Sequence, residues 1–180
     1  MKFRLLILVL ILSIGVFSQT KAQLYAGASY VYAQLSDSGL DQVYGFSFDL
    51  QGDFPTGNER TTLSPTFRMA VLESKIYNQG NPFYAKNFSF SPLLAYRLVS
   101  LKGLTISFYG GPFISQLEGR KTPSLLNTFE YISDTRFGAE FGLEFKLDFF
   151  GFFDLKMNPI NLLIGNEEYR QGHINLMVNF

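Results

Sequence analysis

The stretch "RFGAEFGLEFKLDFF", Arg136 to Phe150, decides the fold. Phe137, Ala139, Phe141, Leu143, Phe145, Leu147 and Phe149 fall on one parity; Arg136, Gly138, Glu140, Gly142, Glu144, Lys146 and Asp148 fall on the other. A period of two belongs to a β-strand, whose successive side chains leave opposite faces. One face here is apolar and the other is charged or glycine. In a soluble protein the charges would face water. In a membrane barrel the apolar row would face lipid and the charges would be enclosed.

The same alternation recurs along the chain. It predicts eight strands, at about 24–32, 43–51, 61–72, 87–98, 104–115, 135–149, 152–158 and 172–180. The connections between them alternate in length. "AQLSDSGLDQ", "ESKIYNQGNPFYAK", "QLEGRKTPSLLNTFEYISDT" and "PINLLIGNEEYRQ" are long, whereas "GDFPTGNER", "VSLKG" and "FFGF" are shorter. Outer-membrane barrels have an even strand number, short periplasmic turns and long external loops. The expected fold is therefore all-β: an eight-stranded antiparallel up-and-down transmembrane β-barrel with both chain ends on the periplasmic side.

The 180 residues allow one domain, and 20 Phe, 10 Tyr and 16 Gly favour strands. The absence of cysteine excludes a disulfide framework, a cysteine metal site and a cysteine-anchored lipoprotein. Lys2 and Arg4 precede the apolar run "LLILVLILSIGVF", and Thr20 and Ala22 stand three and one residues before a cleavage point ahead of Gln23. The run is shorter than the ~20 residues of a membrane helix. Residues 1–22 thus read as a signal peptide and 23–180 as the barrel domain. Removing the three basic residues of the leader takes the formal charge from 0 to −3. Nothing in that balance points to nucleic acid.

With the apolar rows outward, the enclosed residues are Asp49, Arg68, Arg97, Arg136, Glu140, Glu144, Lys146, Asp148, Asp154 and Lys156, five of each sign. An eight-stranded barrel is just wide enough to be filled by side chains. Charges inside it must be paired, because an isolated buried charge is very costly. The expectation is a structural network that fills the lumen. The bland reading is an ordinary solvated strand face. Against the closed barrel stand Pro65, Pro92 and Pro112, each inside a predicted strand. Proline removes a ladder donor, so bulges, strand ends or slightly shifted strand positions are expected there.

Little in the sequence carries chemistry. His173 is the sole histidine, on the inward parity, and Glu167 and Glu168 lie near it. Such a set could orient a catalytic imidazole, but a hydrogen-bonded interior histidine is the simpler expectation. "YGGPF" (Tyr109–Phe113) lacks the ending and helix of a phosphate loop. No cofactor or metal is expected. Tyr30, Tyr32 and Tyr44 at one interface, and Tyr96 and Phe149 at the other, are candidate aromatic girdles. The terminal Phe180, closing an alternating strand, resembles the C-terminal assembly signal of outer-membrane barrels.

The pieces "KAQ", "YGGPFISQL", "FGAEFGLEFKLDFFGFFDLKMNPINLL" and "INLMVNF" resemble the PorT-like and related small outer-membrane β-barrel proteins of Bacteroidota. The resemblance implies an outer-membrane location and partners among outer-membrane lipid, the barrel-assembly machinery and secretion or cell-envelope proteins. It implies no catalytic residue. Three functions are open at this point. The first is a non-enzymatic outer-membrane barrel with a structural, loop-binding or secretion-accessory role. The second is a soluble periplasmic barrel binding an apolar ligand, and the third is a lipid A-modifying enzyme. N-terminal sequencing of the exported protein is expected to begin near Gln23; a membrane-embedded product starting at Met1 would refute the cleavage.

Overall fold

A computed structural model describes residues 22–35, 40–74, 83–121, 130–149, 153–166 and 169–179. The signal peptide, Glu167, Glu168 and Phe180 lie outside the described residues. Eight strands follow one another: β1 (Gln23–Leu35), β2 (Leu40–Pro55), β3 (Thr61–Glu73), β4 (Phe83–Leu101), β5 (Leu104–Lys121), β6 (Glu130–Phe149), β7 (Phe153–Gly165) and β8 (Arg170–Asn179). Each pairs antiparallel with the next, and β8 pairs with β1, so the sheet is a closed up-and-down barrel.

The register fixes its shape. Paired residues lead from Phe141 through Leu162, Gly172, Tyr32, Tyr44, Glu73, Tyr84 and Arg120 back to β6 at Tyr131, ten residues from the start. A stagger of ten over eight strands, at the usual strand rise and spacing, tilts the strands by roughly 40° to the axis. The turn between β4 and β5 is only Lys102 and Gly103, and Gly103 takes φ 80°, a conformation that suits a residue without Cβ.

Strands are longer than the sequence pattern suggests, and the connections correspondingly shorter. The long-loop end keeps 36–39, 74–82, 122–129 and 166–169; the other end keeps 56–60, 102–103 and 150–152. "AQLSDSGLDQ" and "PINLLIGNEEYRQ" are therefore mostly strand, which corrects the expected long loops there. The largest difference is β7, expected to stop before Pro159. It continues to Gly165 because a register shift between Asn158 and Asn161 takes up the proline.

Pro65, Pro92 and Pro112 are not at bulges or strand ends. Pro65 is paired with Pro92, and the β4–β5 pairing stops at Phe90↔Ile114 and resumes unchanged at Leu94↔Gly110, which sets Pro92 opposite Pro112. The three form one row across three strands of a wall that is nonetheless closed.

Gly142 sits on the inward parity of β6, where a Cβ would meet the Tyr109 hydroxyl at 2.5 Å and the Ile160 carbonyl oxygen closer still. The missing side chain makes room for the buried Tyr109 ring. Gly142→Val is expected to destabilise the barrel by about 1–3 kcal/mol through overpacking, read as a lower thermal midpoint in detergent. An unchanged midpoint would mean that both the ring and the β7 backbone at Ile160 give way freely.

Candidate functional site

The two faces of the wall divide by chemistry. Every strand carries large apolar residues on its outward face, among them Leu24, Phe46, Phe67, Leu94, Ile114, Phe137, Ile160 and Ile174, with Phe46 70% and Phe137 62% exposed. Inward positions hold Asp49, Arg68, Arg136, Glu140, Glu144 and Lys156, all buried. This polarity is the reverse of a soluble protein, where charged residues are almost never fully buried.

The interior charges are paired across the barrel. Arg68 on β3 donates from both terminal nitrogens to Glu140 on β6, with Nη1 2.8 Å from Oε2. Such fork-to-fork pairs are the strong class of charge-assisted bonds. Asp49 stands 4.0 Å from Arg68 Nε and also accepts hydrogen bonds from Ser29, Ser47 and Asn175. Lys156, with no exposed surface, donates to Asp53 at 2.6 Å and Glu144 at 2.9 Å and lies over the Tyr25 ring. Lys146 meets Asp154 at 2.8 Å, and Gln23 and Tyr25 donate to the same carboxylate. Arg136 meets Asp134 at 2.7 Å and stacks over Tyr169.

Two residues expected inside are not. Arg97 and Asp148 have the inward parity but lie close to the short-turn ends of their strands and are exposed. Parity fixes the face of a strand; height along the axis decides enclosure. Asp53 and Asp134 complete ion pairs that the sequence reading missed. Asp53 continues the 49, 51, 53 alternation through "GDFP", and that was the available signal.

The long-loop end of the lumen is closed differently. Val31, Ala33, Val43, Leu72, Phe113, Leu117, Leu163 and Tyr169 form a buried apolar cluster, and all lie near the strand ends that border 36–39, 74–82, 122–129 and 166–169. His173 is buried beneath them, with its Nε2 2.6 Å from Gln171 Nε2. Its Nδ1 has no partner among the described residues, so no carboxylate orients it there. Among the described residues no cluster of His, Asp and Glu could hold a metal.

Several aromatic rings pair near the strand ends, while others, such as Phe67, Phe90 and Phe141, lie in mid-strand. Tyr32 and Tyr44 rings lie 5.3 Å apart and Tyr30 and Phe46 5.7 Å, while Phe149 stacks on Phe153 at 4.8 Å. Tyr96 receives a 3.5 Å bond from Arg60 in the 56–60 turn, and this contact raises the Arg60 pKa above its ordinary value.

No family model matches the chain, and no curated protein matches it. Its fold is similar to solved barrels. The attachment invasion locus protein Ail of Yersinia pestis aligns at TM-score 0.57 and 11% identity, over 89% of this chain and 97% of that one. Neisserial surface protein A aligns at 0.54 and 15%, over 88% and 95%. A major outer membrane protein from Thermus thermophilus aligns at 0.61 and 8%, over 89% of this chain and all of that one. At these identities the shared property is the fold.

The Arg68–Glu140 pair gives a direct test of the enclosed network. Arg68→Ala or Glu140→Ala leaves a buried charge without its partner and is expected to cost about 3–5 kcal/mol. Arg68→Met and Glu140→Leu together with Asp49→Asn remove all three charges of the cluster and are expected to cost much less than the singles combined. Thermal unfolding in detergent measures this; additive, near-zero effects would mean a solvated pair.

Proposed function

We propose that the chain is a non-enzymatic outer-membrane β-barrel, with a structural or loop-mediated binding role in the cell envelope. The observation that carries this is the inverted wall: an apolar belt around the whole circumference and ion pairs within. Only helices and closed barrels satisfy their backbone in lipid, and a closed barrel with a greasy outside has no stable place in water. An apolar-ligand carrier would need an apolar cavity. Here the centre of the lumen holds Arg68, Glu140, Asp49 and Lys156 instead, which disfavours the soluble periplasmic reading. A lipid A-modifying role has no support from His173, buried with Gln171 as its partner.

The similar solved barrels carry names such as attachment invasion locus protein and surface protein, which fits display of the connections 74–82 and 122–129 outside the cell. On this reading those connections carry any recognition of a partner, with an accessory part in protein secretion as its narrower form. Phe180 is the residue proposed to be read by the assembly machinery.

Fractionation of cells making the full chain is expected to place it in the outer membrane, in a form that shifts mobility on boiling. Recovery in the buffer-soluble fraction with identical mobility before and after boiling would overturn the proposal. In planar bilayers the purified protein is expected to show no steady conductance, since the apolar cluster closes one end and the ion pairs fill the middle. A large steady current would contradict the filled lumen.

A further inference from the structure

The two ends of the lumen differ in access. The end bordered by 56–60, 102–103 and 150–152 opens into a cavity of about 320 Å³, lined among others by Arg60, Arg97, Thr105, Ser107, Glu144 and Lys146. A second cavity of about 330 Å³ adjoins it through Gln23, Thr105 and Lys146. Together they make a polar cup with a closed floor.

Most charges of the first cavity are already committed. Asp53 and Glu144 are both held by Lys156, and Lys146 is held by Asp154. Three charged side chains remain: Arg60, Arg97 and Glu59. Arg60 reaches the Tyr96 hydroxyl rather than a carboxylate. Arg97 and Glu59 have no ion-pair partner among the described residues; the three acids and three bases that line the cavity balance, but the Arg97 guanidinium is left without a carboxylate of its own. Arg97 is also placed unusually. A register shift between Arg97 and Val99 follows it on β4, and bulges re-aim neighbouring side chains. Across the ladder it faces Ser107, which in turn faces Glu144.

We propose that this cup binds a small carboxylate-bearing solute, with Arg97 as the anchoring residue and the Thr105 and Ser107 hydroxyls as further donors. The guanidinium fork matches a carboxylate bidentately. At about 320 Å³ the cavity lies at the low end of ligand pockets, which restricts the solute to a small molecule or the end of a peptide. That the cup faces the periplasm rests on the outer-membrane reading; its chemistry does not.

The test is calorimetric titration of the full chain in detergent micelles, with N-acetyl-dialanine as the free acid, its C-terminal amide, and inorganic phosphate as probes. Saturable binding of the acid is expected, with the amide and phosphate at least tenfold weaker. Arg97→Gln should weaken the acid at least tenfold. Arg97→Lys, which keeps the charge and loses the fork, should fall between. Arg170→Gln, exposed near the opposite end, should change nothing. Boiling-dependent mobility checks that each variant is folded. Equal binding of acid and amide, equal binding of phosphate, absence of saturable binding, or an unchanged affinity in Arg97→Gln would each overturn the proposal. None of these results bears on fractionation, so the two readings fail separately.

Discussion

A wall of eight strands that closes on itself at a stagger of ten encloses a narrow lumen, and what lies inside has to be side chain. The Arg68–Glu140 fork depends on that closure. The two residues stand on β3 and β6, three strands apart, and meet only because the sheet curves back on itself. Once closed, the arrangement is costly to break from either side. Removing one charge strands its partner in a low-dielectric space, and opening the wall frees backbone groups that lipid cannot satisfy. Ion pair and barrel closure thus hold each other, and Lys156 with Asp53 and Glu144 repeats the device nearer the short turns.

The lumen is graded from one end to the other. Near the longer connections it is aliphatic and aromatic, closed by Val31, Leu72, Phe113, Leu117 and Leu163. In the middle and below, it is ionic. At the short-turn mouth it is open and polar, lined by residues such as Arg97 and Thr105. Apolar packing excludes water from one end, while at the mouth the ion pairs of Lys146 and Lys156 leave Arg97 without a carboxylate partner. A filled barrel can therefore be closed at one end of its lumen and open to solvent at the other.

Much of the fold was legible because period-two alternation is insensitive to where a strand begins. Parity placed Asp49, Arg68, Arg136, Glu140, Glu144, Lys146, Asp154 and Lys156 on the inward face, and the structure puts each of them there, buried or half-buried. Parity carries no height, so Arg97 and Asp148 were assigned to the interior although they stand at the mouth. Turn chemistry misled in the other direction. "GDFP" and "NPIN" look like breaks, yet β2 runs on to Pro55 and β7 passes Pro159 through a register shift. The pairings, Arg68 with Glu140 and Lys156 with Asp53 and Glu144, depend on stagger, a property of the whole ring that no local window contains.

The proline row shows how a closed wall accommodates residues that should break it. In an antiparallel ladder, a hydrogen-bonded pair exchanges two N–H···O bonds, and neighbouring pairs along the strand alternate with pairs that exchange none. Pro92 and Pro112 face each other where the β4–β5 pairing lapses, so their two missing donors belong to a single exchange. Two prolines placed apart would each have spoiled a separate one. Toward β3, Pro92 faces Pro65 in unbroken pairing, which is the kind of position where neither N–H is needed. The Pro65 nitrogen is then directed to β2, and there the pairing lapses again between Gln51↔Thr66 and Phe54↔Leu63 without a change of register. The losses are confined to one level of the wall, and the register is the same on either side of each lapse, so the barrel closes with a local gap instead of an edge.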